Sequence, residues 1–192
     1  MTKSQLNLAL DIGNVCIRID RQNCSRALKL DAIPPALMEL CTDYECGRID
    51  DDGFFAGAQK LHSRTISRDE YEAAFNSILI EPVPGMSELV ETFASRRIRP
   101  VFFSDISPIH LRRTRELFPA EACVPEGVYS FVAGAQKPAA AMFEYFEKFF
   151  GPCGLYVDDR PELIAAAGAR SWHAVQFTSA EALDLELQKL GY

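Results

Sequence analysis

Residues 6–10, Leu-Asn-Leu-Ala-Leu, form an apolar run of strand length that stops on Asp11, and the pair Gly13-Asn14 follows as a turn signal. The pattern predicts a strand that presents Asp11 at its carboxyl end. In an open α/β sheet that edge is where ligands bind, and a carboxylate held there has the chemistry of a covalent nucleophile or a metal ligand. An Asp at such a point is also an ordinary way to turn the chain or cap the next helix. The rest of the sequence decides between the two.

A chain of 192 residues can bury one substantial core, with room for a modest insertion. Its 48% hydrophobic and 24% charged residues are the balance of a folded globular protein, which argues against disorder. The formal net charge of −7 argues against a nucleic-acid partner, because neutralising phosphates takes clustered Lys and Arg. Two arginine groups do exist, Arg96, Arg97 and Arg99 and then Arg112, Arg113 and Arg115, and both read as solvated helix faces. Cys16, Cys24, Cys41, Cys46, Cys123 and Cys153 contain no CxxC pair. His62, His110 and His173 do not join them at ligand spacing, so a structural zinc site has no support. A single Lys precedes a short apolar run broken by Asp11, which is no secretory signal, and no stretch approaches membrane-spanning length. The expected setting is a reducing cytoplasm with free thiols and no membrane partner.

Beyond the first strand, residues 15–20 run on with alternating character and then the pattern changes. Residues 21–30 read as helix, and Pro34-Pro35 open a second over 36–44 that Gly47 ends. Asp50, Asp51 and Asp52 cap a third helix whose apolar face is Phe54, Phe55, Ala58 and Leu61. Ser67 with Glu70 three residues later is a capping box that starts a fourth. Residues 20–81 therefore read as an all-helical insert, which Pro82-Val83-Pro84-Gly85 terminates. From there helix and strand alternate: helix 87–95, strand 98–103, helix 108–118, strand 128–132, helix 139–150, strand 155–157, helix 161–167, strand 173–177 and a closing helix from Ala180. The Phe143, Phe146, Phe149 and Phe150 stripe reads as a face packed on a sheet. Such alternation implies a parallel sheet with right-handed crossovers. The expected fold is a doubly wound, Rossmann-like α/β core formed by residues 1–19 and 82–192, carrying the helical segment 20–81 as a separate domain.

Four polar signals stand at or just beyond the carboxyl ends of expected strands: Asp11, Ser104-Asp105, Lys137 and Asp158-Asp159. Each alone is ordinary; their shared placement on one edge of one sheet is not. Together they resemble the four motifs of the haloacid dehalogenase-like (HAD) superfamily. Asp11-Ile12-Gly13-Asn14-Val15, followed by Asp20, is similar to the D-x-G-N-V opening of its glucose-1-phosphate phosphatase-like group. Phe102-Phe103-Ser104-Asp105, Gln136-Lys137-Pro138 and Tyr156-Val157-Asp158-Asp159-Arg160-Pro161 correspond to the other three motifs, and the helical insert sits where that family carries a C1-type cap.

The resemblance implies a Mg²⁺-dependent phosphatase that hydrolyses a small phosphomonoester, a sugar phosphate among the candidates, through an aspartyl-phosphate intermediate. Asp11 would attack phosphorus, and Lys137 would offset repulsion between the two anions. Mg²⁺ would be held by the Asp11 carboxylate, the Gly13 backbone carbonyl and Asp158. Ser104 would donate to a phosphate oxygen, with Asp105 and Asn14 completing the substrate-binding set. Asp159 would either reach the metal through water or orient Lys137. Insert residues such as Tyr44, Arg48, Phe54, Phe55, Gln59 and His62 would read the substrate, with hinges near residues 16–20 and 81–85.

One position departs from the family pattern. Most superfamily phosphatases carry a second Asp two residues after the nucleophile as general acid and base, and here that position is Gly13. General acid catalysis is worth about 10²–10⁴-fold, so something must compensate. Either another group, Asp20 or an insert residue, approaches the leaving oxygen, or the substrate has an easy leaving group such as an anomeric hydroxyl. Two rivals remain open: a 2-haloacid dehalogenase, whose Asp attacks carbon without a metal, and a catalytically impaired protein that binds a phosphorylated ligand.

Overall fold

The computed structural model describes residues 4–192, so the first three residues of the expected core segment lie outside the described residues. The chain begins with β1 (Leu6–Leu10) and β2 (Ile17–Ile19), followed by α1 (Gln22–Leu28), α2 (Pro35–Glu45), α3 (Asp51–Lys60) and α4 (Arg68–Asn76). After β3 (Leu79–Pro82) come α5 (Met86–Thr92), β4 (Ile98–Ser104), α6 (Pro108–Leu117), β5 (Gly127–Tyr129) and α7 (Ser130–Ala133). The chain closes with α8 (Ala140–Phe150), β6 (Leu155–Asp158), α9 (Pro161–Ala169), β7 (Ala174–Gln176) and α10 (Ala180–Lys189).

Five strands form one parallel sheet in the order β5-β4-β1-β6-β7. From β1 the chain builds outward to one side through β4 and β5, then returns to lay β6 and β7 on the other. That reversal makes the sheet doubly wound, and it leaves a crevice beyond the carboxyl ends of β4, β1 and β6. Side chains alternate across the sheet with the period of a strand. Leu8, Leu10, Phe102 and Val157 therefore pack with α5 and α10 on one face, through Met86, Leu89, Val90, Leu183 and Leu187. Ala9, Val101, Phe103 and Tyr156 pack on the other against Met142, Phe143, Phe146 and Trp172. Phe103 is the centre of that second layer, with ring centroids of Phe143, Phe146, Tyr156 and Trp172 at 5.4, 5.8, 5.4 and 5.7 Å.

Helices α1–α4 have an apolar centre of their own, in which Tyr44 stacks on Phe54 at 4.5 Å and Tyr71 and Phe75 close around them. Their starts follow the capping chemistry: Asp50 accepts from the Gly53 amide at 2.8 Å, and Ser67 from the Glu70 amide at 3.1 Å. The four helices meet the sheet domain through α6, whose Ile109 belongs to their cluster, and through an ion pair from Arg112 to Asp51 at 2.8 Å. Gly47, just beyond α2, has φ 66°, and its Cα lies so close to the Phe131 carbonyl of α7 that a Cβ would stand 2.2 Å from that oxygen. Only glycine fits there without displacing one backbone from the other.

Three local features differ from the expectation. Leu79–Pro82, which begins inside the 20–81 segment expected to be entirely helical and crosses its end, is a strand that pairs antiparallel with β2, Ile17 opposite Pro82. Four residues carry no periodicity of their own, and the partner lies some sixty positions away. Strand β5 stops at Tyr129, and Ser130 winds into α7 because its hydroxyl accepts from the Ile106 amide at 3.0 Å and donates to the Ile106 carbonyl at 3.2 Å. Phe149 does not join the sheet-facing stripe and is 54% exposed, whereas Phe143 and Phe146 are buried.

Of the arginines expected on solvated helix faces, Arg99 lies instead in β4, where it holds Glu126 through two hydrogen bonds of 2.7 Å, and Arg96 is half-buried against Asp184, while Arg113 and Arg115 of α6 pair with Glu116 and Glu121. All six cysteines are free thiols, and among the described residues no helix is long and apolar enough to cross a membrane.

His110 of α6 is buried, stacked on Phe75 at 4.1 Å, with Nε2 donating to the Phe75 carbonyl at 3.0 Å. Burial pushes its pKa down from 6.5 to about 4, so the folded protein keeps it neutral. The stability this contributes is complete above pH 6.5 and is lost as pH falls through about 4, because in that window the unfolded chain takes a proton that the folded one refuses. Urea unfolding across the window should show a decline on the order of 3 kcal/mol from this group. His110→Gln, which keeps a donor for the Phe75 carbonyl, should flatten that part of the curve.

Candidate active site

The crevice brings the predicted residues together. Asp11 leaves β1 directly, its amide bonded to the Val157 carbonyl of β6 at 3.0 Å. Ser104 ends β4 and Asp158 ends β6, so the register of the central strands sets all three side by side. Lys137 arrives from the loop between α7 and α8, and its ammonium lies 3.0 Å from Asp11 Oδ1 and 2.6 Å from Asp158 Oδ2 while donating to the Phe103 carbonyl at 2.9 Å. All four side chains are buried. Below the ammonium lie the rings of Phe103 and Tyr156, with centroids 5.5 and 5.7 Å away.

The electrostatics follow from burial and crowding. Burial raises the Asp11 pKa to about 6, the Lys137 charge pulling it down, the Asp158 charge pushing it up and the nearby Ser104 hydroxyl lowering it a little. Burial works against the Lys137 charge as well, yet the carboxylates of Asp11, Asp158 and Asp105 outweigh it and raise its pKa. Asp158 is held ionised despite burial by Lys137, by the Tyr156 hydroxyl that donates to Oδ2 at 2.5 Å, and by the Arg160 amide at 2.9 Å from Oδ1.

Two residues expected to bind substrate have side chains engaged within the protein. Asp105 accepts from the Lys137 amide at 2.8 Å on one oxygen and from Arg160 Nη2 at 3.1 Å on the other. Asn14, in the left-handed region at φ 54°, accepts from the Ile19 amide at 3.1 Å and donates to Asp159 Oδ2 at 3.0 Å. It thereby ties the loop after β1 to the loop after β6. Gly13 lies in the first of these loops, where a Cβ would come 3.3 Å from Ile19 Cδ1.

Asp11, Asp158 and Asp159 each place a carboxylate oxygen within 4.8 Å of the others. Three hard oxygen donors so close are balanced by the Lys137 ammonium and by the Arg160 guanidinium, 3.7 Å from Asp158 Oδ1 and shared with Asp105, and the negative charge left over suits a small divalent cation such as Mg²⁺. Above this cluster opens a cavity of about 660 Å³, walled on the far side by the helical insert. That wall is largely apolar: Ile33, Leu37, Met38, Cys41, Tyr71 and Phe75. Its polar members are Arg21, Thr42 and Glu45.

This overturns the expected choice of insert residues, since Tyr44, Arg48, Phe54, Phe55, Gln59 and His62 are not among the residues that line the cavity. Tyr44 and Phe54 are the insert's own core, and Arg48 pairs with Asp43 at 2.7 Å. Asp20 also falls away from the site: it holds the Gln22 amide at 2.9 Å and pairs with Arg26 at 3.0 Å. Nothing in the sequence pattern marks Glu45 or Arg21 as cavity residues, and the motif around Asp158 contains Tyr156 and Arg160 without revealing that both hold that carboxylate. A phenol two residues before a strand-end carboxylate lies on the same strand face, which was the available signal for Tyr156.

No protein-family model and no curated protein sequence matches this chain. Solved structures do. A HAD family enzyme from Bacteroides thetaiotaomicron, BT-2542, in complex with magnesium and inorganic phosphate, superposes with a TM-score of 0.77 at 18% identity over 92% of this chain and 96% of that one. A predicted HAD-like family hydrolase from Porphyromonas gingivalis gives 0.80 at 20% identity over 98% of both chains. The L-2-haloacid dehalogenase of Xanthobacter autotrophicus gives 0.60 at 15% identity over 97% of this chain and 83% of that one. The chain thus has the fold shared by HAD-family enzymes.

Tyr156→Phe isolates one strut of the site. It leaves a buried carboxylate short of a donor, so urea unfolding should show a loss of about 1.5–3 kcal/mol with little change in volume.

Proposed function

We propose that this chain is a HAD-superfamily phosphatase that uses Mg²⁺ to hydrolyse a small phosphomonoester, with α1–α4 acting as a cap over the site. The observation that carries the reading is the buried Lys137 bridging Asp11 and Asp158, with Asp159 completing a cluster of three carboxylates under an open cavity. A dehalogenase that works without a metal has no evident use for that excess of negative charge. The presence of magnesium and phosphate in BT-2542, which has this fold, is consistent with the same reading.

In this mechanism Asp11 is the nucleophile, poised at the floor of the cavity by its backbone bond to β6. Lys137 holds its carboxylate in place and lowers the repulsion that a phosphate dianion would meet. Ser104, buried beside Asp11 at the end of β4, would donate its hydroxyl to a phosphoryl oxygen. Asp11, Asp158 and Asp159 would hold the cation, whose charge when bound stabilises the phosphoryl oxygens in the transition state. Asp105 and Arg160 keep Lys137 and the loop after β6 in register.

The apolar wall bears on the alcohol half of the substrate. Sugar hydroxyls pressed against Leu37, Met38 and Phe75 would lose water without gaining partners, so the wall favours a phosphate ester with an apolar body over a sugar phosphate.

Phosphate release should require Mg²⁺, stop in EDTA, and be abolished in Asp11→Asn; turnover of 2-chloropropionate that survives EDTA would instead identify a dehalogenase. In a panel, alkyl and aryl phosphates should exceed sugar 1- and 6-phosphates in kcat/KM. Mg²⁺ at about 100-fold over its Kd should stabilise the wild type by about 2.7 kcal/mol. Asp158→Asn should lose most of that gain in thermal melts.

A further inference from the structure

We propose that Glu45, at the end of α2, is the general acid and base of the phosphatase reaction, supplying from the cap the proton that Gly13 cannot. The inference rests on the phosphatase reading and adds a residue to it.

Glu45 is the one carboxylate that the cap contributes to the cavity wall. Gln136 donates to its Oε2 at 2.7 Å, and Gln136 immediately precedes Lys137, so the carboxylate is fastened to the loop that delivers the buried ammonium. Its Oε1 has no hydrogen bond among the described residues. The other titratable groups on the wall are unsuited to donating a proton near neutrality. Burial raises the thiols of Cys24 and Cys41 to about 11 and about 12 and raises Tyr71 as well, while His110 is neutral and committed to Phe75. Asp105 has both oxygens engaged.

The groups facing Glu45 are Arg21 from just before α1, Cys41 from its own helix, and Asp105 and Arg160 from the loops after β4 and β6. Burial raises the Glu45 pKa to about 7; Arg21, Gln136 and Arg160 oppose the rise and Asp105 adds to it. A carboxyl balanced near neutrality can both give and take a proton.

The steps balance. As Asp11 attacks, the bond from phosphorus to the leaving oxygen breaks and the Glu45 proton passes to that oxygen, releasing the alcohol and leaving Glu45 ionised. Water then attacks the aspartyl-phosphate, its proton returns to Glu45, the bond between phosphorus and Asp11 breaks, and inorganic phosphate departs with both carboxyl groups restored. The proton matters most where the wall admits an alkyl ester, because a simple alkoxide is a far poorer leaving group than an aryloxide.

The test compares wild type with Glu45→Gln, which keeps the size and a partner for Gln136, in kcat/KM for butyl, phenyl and p-nitrophenyl phosphate with Mg²⁺ across neutral pH. That parameter reports transfer to Asp11 and not the later hydrolysis. The loss in Glu45→Gln should grow with the basicity of the leaving group, reaching about 10²–10⁴-fold for butyl phosphate and at least tenfold less for p-nitrophenyl phosphate. In the wild type alone, the ratio of butyl to p-nitrophenyl turnover should fall as pH rises through about 7, which keeps the test independent of how the variant folds. Equal losses across the series, or a ratio that does not change with pH, would overturn the role of Glu45 while leaving the phosphatase reading intact. A wild type that releases phosphate from none of the esters would bring down that reading, and Glu45 with it.

Discussion

One ammonium joins the three central strands at their carboxyl ends. Lys137 reaches the Phe103 carbonyl of β4, Asp11 beyond β1 and Asp158 of β6, all within 3.0 Å and all out of water. Placing a charge there is unfavourable in itself, and removing any one member of such a group strands the others at a cost of about 3–5 kcal/mol. The fold therefore cannot loosen this point without losing stability and site together. The same arithmetic explains why the cluster suits a cation: with Asp105 there are four carboxylates around the Lys137 ammonium and the Arg160 guanidinium, and what remains is negative charge at the floor of the cavity.

Around that centre the protein divides its work. Rigid strand ends carry the groups that must be accurate, and the residues beside them hold rather than react. Asp105 fixes the Lys137 backbone and Arg160, and Asn14 fastens two loops to each other. The helical insert supplies what the sheet lacks, an apolar wall and a single carboxylate. The close passage of Gly47 against Phe131 and the bond from Gln136 to Glu45 bring that wall down onto the core at adjacent points.

The sheet, its helices and the gathering of Asp11, Ser104, Lys137 and Asp158 were legible because each rests on local signals that agree: an apolar run, a turn pair, a polar residue at a strand end. Where long-range contacts decide, the sequence was silent or misleading. β3 exists because β2 lies opposite it, and Ser130 leaves its strand because a loop from β4 needs its hydroxyl. The insert residues were misjudged for the same reason: Tyr44 and Phe54 have the character of ligand-reading aromatics, but which face of a helix meets a cavity depends on how the insert docks. Glu45 stands one position from Tyr44 and points its chemistry the other way, a distinction of about 100° of helix turn that composition does not carry.

The ribbon of β2 and β3 has a consequence for the history of such a molecule. The chain leaves the core and returns to it on two hydrogen-bonded strands, Ile17 facing Pro82, so the two crossings are neighbours whatever lies between them. The insert beyond the ribbon can thus be lengthened, shortened or reshaped while Asp11 and its partners stay where β1, β4 and β6 put them, and of the roof only Glu45, fastened to Gln136, is bound to the chemistry below.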